Sequence, residues 1–114
     1  MVALAASSVV VVRFPFSDLS NSKLRPAVVL AGVGRGDWIL CQITSRPYTD
    51  ADAIPLRNGS FAAGSLELVS YARPGKLFTA NESLIAAAVG SLTTTSFGQI
   101  IETVVGILQN SLDG

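Results

Sequence analysis

"LRPAVVLAGVGRGDWILCQIT", residues 24–44, decides the fold. Leu24 to Ala31 is a β-branched, apolar run and reads as a strand. Gly32 to Asp37 carries three glycines in six residues and reads as a turn. Trp38 to Thr44 is a second apolar run, so the stretch is a β-hairpin. Arg25 stands at the mouth of its first strand, one residue before Pro26. A charged side chain at that point is the feature to explain.

Working outward, Val9 to Phe16 is a further strand, and its four consecutive valines suggest burial on both faces. Ser17 to Lys23 is a polar loop joining it to the hairpin. After the hairpin, Ser45 to Asp52 reads as a loop and Ala53 to Leu56 as a short strand. Asn58-Gly59 marks a turn. Leu66 to Ala72 and Lys76 to Thr79 read as strands interrupted by Arg73-Pro74-Gly75, and Ile85 to Val89 as another strand. The period then changes. Phe97, Ile100, Ile101, Val104, Val105 and Leu108 recur at helical spacing, with Thr93 or Thr94 as N-cap and a frayed tail from Asn110. Many short strands followed by one helix predict a mainly β fold: a small, SH3-like antiparallel barrel with a C-terminal helix. All 114 residues fit one domain.

Composition narrows the function. The chain is 49% hydrophobic and 14% charged, with a mean hydropathy of +0.50. Such apolar surface suits either a Val- and Ala-rich core or a face covered by a partner. Net charge is zero, against a nucleic-acid coating protein. The charge is unevenly placed, however. All eight Lys and Arg lie between Arg13 and Lys76 with five of the eight acids, leaving +3 there and −3 in the remainder. An anion site belongs to the first two thirds. Cys41 is the single cysteine, so no disulfide framework exists, which suits a reducing cytoplasm. The chain has no histidine, which removes the usual general base, the usual zinc ligand and every Ser-His or Cys-His pair. No cofactor or metal site is expected. The N-terminal apolar run lacks a basic flank and is too short to span a membrane, so neither signal peptide nor membrane segment is expected.

Several motifs carry nothing. Gly32, Gly34 and Gly36 join two strands rather than opening a helix, so they are no dinucleotide fingerprint. Arg35-Gly36-Asp37 and the Asn-x-Ser tripeptides at Asn58 and Asn81 have no meaning without export. Asp50 and Asp52 read as two solvated loop acids.

Arg25 and Thr44 are the candidate chemical pair. One opens its strand and the other closes the next, so an antiparallel hairpin sets them together at one rim. Lys23, Ser45 and Arg46 are close in sequence, making a cationic, hydroxyl-bearing patch suited to a phosphodiester. On spacing alone, a surface arginine beside a strand-end threonine is the commoner outcome.

The segments "VVVVRFPFSDLSNSKLRPAVVL", "ILCQITS", "SYARPGKLFT" and "ESLIAAAVGSL" together resemble the MazF/PemK family of toxin ribonucleases, over about residues 9–108. The resemblance implies a CcdB/MazF-like barrel, a homodimer, sequence-specific cleavage of single-stranded RNA without metal, and neutralisation by an antitoxin. The family's catalytic arginine and threonine match Arg25 in "LRP" and Thr44 in "ITS". Two departures stand out. Ser7-Ser8 replaces the Gly-acid pair that usually opens the first strand, and Arg46 replaces an amide after "ITS".

RNA carries its own nucleophile, which suits a site without histidine. The 2′-hydroxyl attacks the adjacent phosphorus and expels the 5′-oxygen, leaving a 2′,3′-cyclic phosphate and a 5′-hydroxyl. Arg25 would stabilise the phosphoryl charge and Thr44 would donate to a non-bridging oxygen. Lys23, Arg46 and Arg73 could hold phosphates, Ser45 adds a hydroxyl, and Phe16 and Tyr48 could stack on bases. The partners expected are single-stranded mRNA, an acidic antitoxin segment and a second copy of the chain. The alternatives are a non-catalytic barrel of the same family, or a CcdB-like gyrase inhibitor. The latter's C-terminal Trp-Gly-Ile is matched by nothing here, since the one tryptophan is Trp38.

Overall fold

The structure, a computed structural model, describes residues 4–14 and 23–113. Seven strands form one antiparallel sheet: β1 (Ser8–Phe14), β2 (Lys23–Gly34), β3 (Asp37–Thr44), β4 (Ile54–Leu56), β5 (Phe61–Gly64), β6 (Ser70–Asn81) and β7 (Ile85–Leu92). Helix α1 (Thr94–Asp113) follows. The sheet order is β4-β6-β3-β2-β1-β7-β5, with the predicted β2–β3 hairpin in the middle. The curled sheet and its C-terminal α-helix are the mainly β, barrel-like architecture that the sequence predicts.

The valine runs are explained by two cores, one on each face. Val9, Val28, Leu30, Cys41 and Ile43 point to one face, where Leu56, Ala72, Leu92 and α1's Ile100 and Val104 cover them. Val10, Val12, Ala27, Val29 and Leu40 point to the other, packed with Ala80, Ile85, Trp38 and Phe78. Alternation along a strand sends neighbours to opposite faces, so a strand buried on both has no polar positions. Each fully buried Val or Leu contributes roughly 1.5–3 kcal/mol.

Several expectations are corrected. Lys76 to Thr79 and the residues before Pro74 are one strand, β6, not two. The register with β3 jumps from Cys41↔Leu77 to Gln42↔Arg73, so Pro74, Gly75 and Lys76 are absorbed in a bulge. Leu66 to Val69 is irregular, with a bend at Glu67 and Leu68, rather than a strand. β5 escaped notice because it is a four-residue edge strand; Gly64 there has φ +68°, and a Cβ would collide with the Val89 carbonyl oxygen. The helix is capped by Thr93, whose Oγ1 accepts from the Ser96 N–H at 3.2 Å. It stays regular through Asp113, so there is no fray from Asn110. Phe97, Ile100, Ile101 and Val104 pack on the sheet, while Val105 and Leu108 are exposed. Among the described residues, no helix is long and apolar enough to cross a membrane.

Candidate active site at the parting of two strands

The β2–β3 ladder ends at Ala27↔Gln42. Beyond it β2 continues along β1, pairing Arg25 with Val12, Leu24 with Arg13 and Lys23 with Phe14. β3 continues along β6, pairing Ile43 with Ala72 and Thr44 with Tyr71. The two strands therefore part. Pro26, with no N–H to donate, stands just past the last rung. Carried two residues further, the register sets Arg25 against Thr44, on the face that Ala27 and Gln42 share.

Two clefts meet at this parting. The larger, of about 710 Å³, is lined by Lys23, Leu24, Arg25 and Pro26 from β2, by Thr44 and Ser45 at the end of β3, and by the segment bearing Leu66, Glu67 and Leu68. The smaller, of about 330 Å³, is lined by Arg25, Gln42, Thr44, Arg46, Tyr48 and Arg73 among others. Arg25, Thr44 and Ser45 belong to both. The charged residue at the strand mouth thus stands where two recesses share a wall.

Arg25 is exposed, and the ion pair found among the described residues is Arg73 with Asp50 instead. Thr44 is fixed by its own turn. Its Oγ1 accepts from the Arg46 N–H at 3.1 Å and lies 3.2 Å from the Arg46 carbonyl, to which it can donate. The first bond fixes the oxygen. The hydroxyl hydrogen remains able to turn from a carbonyl to a phosphoryl oxygen.

Of the candidate residues, the structure gathers Lys23, Arg25, Thr44, Ser45, Arg46, Tyr48 and Arg73 around the two clefts. Phe16 and the 17–22 part of the polar loop lie outside the described residues. Arg73 is not a free cation: its Nε donates to Asp50 Oδ2 at 2.8 Å. Asp50 is correspondingly no solvated loop acid. The Arg73 hydrogen bond, helped by the Asp52 N–H and the charges of Arg73 and Lys76, holds its carboxyl below the usual range. The sequence reading missed Glu67. It is the one carboxylate lining either cleft among the described residues, and the lack of histidine was the signal to look for one.

No protein-family model and no curated protein sequence matches the chain. Solved structures do. MazF from Deinococcus radiodurans superposes with a TM-score of 0.75 at 16% identity, covering 96% of this chain and 99% of that one. An endoribonuclease in complex with its cognate antitoxin from a mycobacterial species gives 0.70 at 12%, covering 96% of each chain. The Mycobacterium tuberculosis toxin MazF-mt6 gives 0.69 at 14%, covering 90% of this chain and 96% of that one. Agreement over nearly the full length of each, at so little identity, is agreement of fold: this chain has the fold of the MazF toxins.

Proposed function

We propose that the protein is an endoribonuclease toxin that cleaves single-stranded RNA at short sequence motifs and is neutralised by an antitoxin. The observation that carries this reading is the placement of Arg25 and Thr44 in the wall shared by two clefts. A strand crossing that wall puts one phosphodiester on the guanidinium and the flanking nucleotides into the two recesses.

The reaction uses the substrate's own 2′-hydroxyl. Its oxygen forms a bond to phosphorus as the bond from phosphorus to the 5′-oxygen breaks. Arg25, planar and permanently charged, takes the extra charge on the non-bridging oxygens through a bidentate contact. One such preorganised donor supplies about 3–4 kcal/mol. Thr44 adds a second donor. Arginine is a poor proton acceptor, and hydroxyls are no better. Glu67, in the lining of the larger cleft, is the group suited to accept the 2′-hydroxyl proton. The leaving 5′-oxygen takes a proton from water, while Arg25 keeps its own and holds the charge on the phosphoryl oxygens. The substrate supplies the nucleophile and Arg25 the positive charge, so no step requires a metal ion.

Lys23 and Arg46 hold neighbouring phosphates, and Ser45 adds a hydroxyl to both clefts. Leu24, Pro26, Leu66 and Leu68 give the larger cleft much of its apolar lining. An acidic, disordered antitoxin segment fits it: apolar side chains enter the cleft and carboxylates meet Lys23 and Arg25. Val105, Leu108 and Leu112 on the exposed side of α1 are apolar surface that a second copy would cover.

The test is incubation of purified protein with a long RNA, with and without EDTA. Cutting at a recurrent short motif, undiminished by the chelator, supports the reading. Intact RNA under both conditions refutes it and leaves a non-catalytic barrel.

A further inference from the structure

The smaller cleft holds an arrangement that RNA cleavage at Arg25 does not itself require. Tyr48 lines it and is 81% exposed. Its backbone is at φ +53°, the left-handed region that a residue with a Cβ enters at a cost of roughly 1–2 kcal/mol. An exposed ring recovers none of that by burial, so the surrounding loop must impose it. Asp50 is the centre of that loop. Its N–H donates to the Pro47 carbonyl at 3.0 Å, and its own carbonyl accepts from the Ala53 N–H at 3.3 Å. Its two carboxylate oxygens divide the remaining work. Oδ1 accepts from the Asp52 N–H at 3.0 Å, closing the turn. Oδ2 accepts from Arg73 Nε at 2.8 Å, tying the turn to β6 beside the bulge.

We propose that Tyr48 is a stacking platform for the nucleobase next to the cleaved phosphate, and that Asp50 is the positioning residue that holds it there through Arg73. This rests on the single-stranded RNA reading and adds to it a base subsite and the device that fixes it. A flat ring whose backbone is pinned at both ends presents a π-face with little ordering left to do on binding. A base of any identity can stack on it. Preference among bases then comes from the polar groups around it, Arg46, Gln42 and Arg73, all in the same cleft.

The sign of one substitution separates positioning from charge. Asp50→Asn keeps an Oδ1 acceptor for the Asp52 N–H and removes the ion pair. If Asp50 only lowers the local positive charge, its loss frees Arg73 and tightens RNA binding. If it positions Tyr48, its loss weakens binding. The measurement is fluorescence anisotropy of a short, random-sequence, 2′-O-methyl single-stranded RNA, which cannot be cleaved. Wild type, Asp50→Asn, Tyr48→Ala and Tyr48→Phe are compared, with Asp52→Asn as control for a lost loop charge. Cleavage sites on a long RNA are mapped in parallel.

Tyr48→Ala should weaken binding roughly tenfold or more, as loss of one stacked base does, and Tyr48→Phe should recover most of it. Asp50→Asn should weaken binding in the same direction and redistribute the cleavage sites, while Asp52→Asn leaves binding equal or tighter. Tighter binding by Asp50→Asn, or Tyr48→Ala binding and cutting like wild type, overturns the proposal. Wild type that binds RNA without cutting it removes the ribonuclease reading and leaves the subsite to be decided by the binding data. Wild type that does not bind removes both.

Discussion

Arg25 and Thr44 belong to different strand pairs, although the register of the central hairpin sets them opposite each other. Arg25 is held by β1 through Val12, and Thr44 by β6 through Tyr71. The gap between them is where the central hairpin stops pairing. Each is therefore fixed by its own neighbour, and in the proposed reaction the space between receives the phosphodiester.

Replacing Arg25 should abolish cleavage and spare the fold, because the side chain is exposed. Arg25→Ala is expected to lower the rate by at least about a hundredfold, the usual effect of losing one preorganised donor. Arg25→Lys should also fail, since an ammonium cannot reproduce the two-pronged contact. Single-turnover rates, with thermal unfolding as the check on folding, decide this. A lysine variant that cuts near the wild-type rate contradicts the role given to Arg25.

Thr44→Val removes the hydroxyl at constant shape. The rate should fall sharply. Because Oγ1 also accepts from the Arg46 N–H, stability should drop by about 1 kcal/mol. Thr44→Ser restores both. If Thr44→Val loses stability and keeps its rate, Thr44 serves only the turn.

Glu67→Gln should slow cleavage without lowering affinity for uncleavable RNA. Removal of an acid from a phosphate-binding cleft tightens binding if anything. A variant with an unchanged single-turnover rate means that the proton goes elsewhere.

Cys41 is buried between β2 and β6, and burial pushes its thiol from 9.0 up to about 12. The native thiol keeps its proton where the unfolded one has lost it, so stability should decline as the pH rises from about 9 towards 12. Near pH 8 the native protein should resist thiol reagents and react quickly once unfolded. Fast labelling of the native state would contradict the packing.

The Asp50–Arg73 pair has the opposite pH dependence. Asp50 titrates below its ordinary 3.8. Its contribution is complete above that value and is lost as the pH falls through the depressed one. The stability difference between wild type and Asp50→Asn should be the same at pH 7 and pH 5 and vanish in stronger acid, as urea midpoints would show.

The hairpin, and the placing of Arg25 and Thr44 on the same clefts, were legible in the sequence because both follow from local rules: glycines between two β-branched runs, and antiparallel register. Arg73-Pro74-Gly75 misled because Pro and Gly end most strands, whereas here β6 carries them in a bulge and continues. Leu66 to Val69 alternates like a strand but bends, and so brings Glu67 to the cleft. Asp50 was misread as a solvated loop acid. Its partner, Arg73, is distant in the chain, and only the closing of β4 and β6 onto β3 brings the two together.

The most direct test of the central claim uses an oligodeoxynucleotide with a single ribonucleotide at a mapped cleavage position. Its fully 2′-deoxy counterpart and the Arg25→Ala protein are the controls, and the ends are read by mass spectrometry. The account predicts one cut, leaving a 2′,3′-cyclic phosphate and a 5′-hydroxyl, in EDTA, with none in either control. Cutting of the all-deoxy strand, a 5′-phosphate product, or full activity in Arg25→Ala would contradict it.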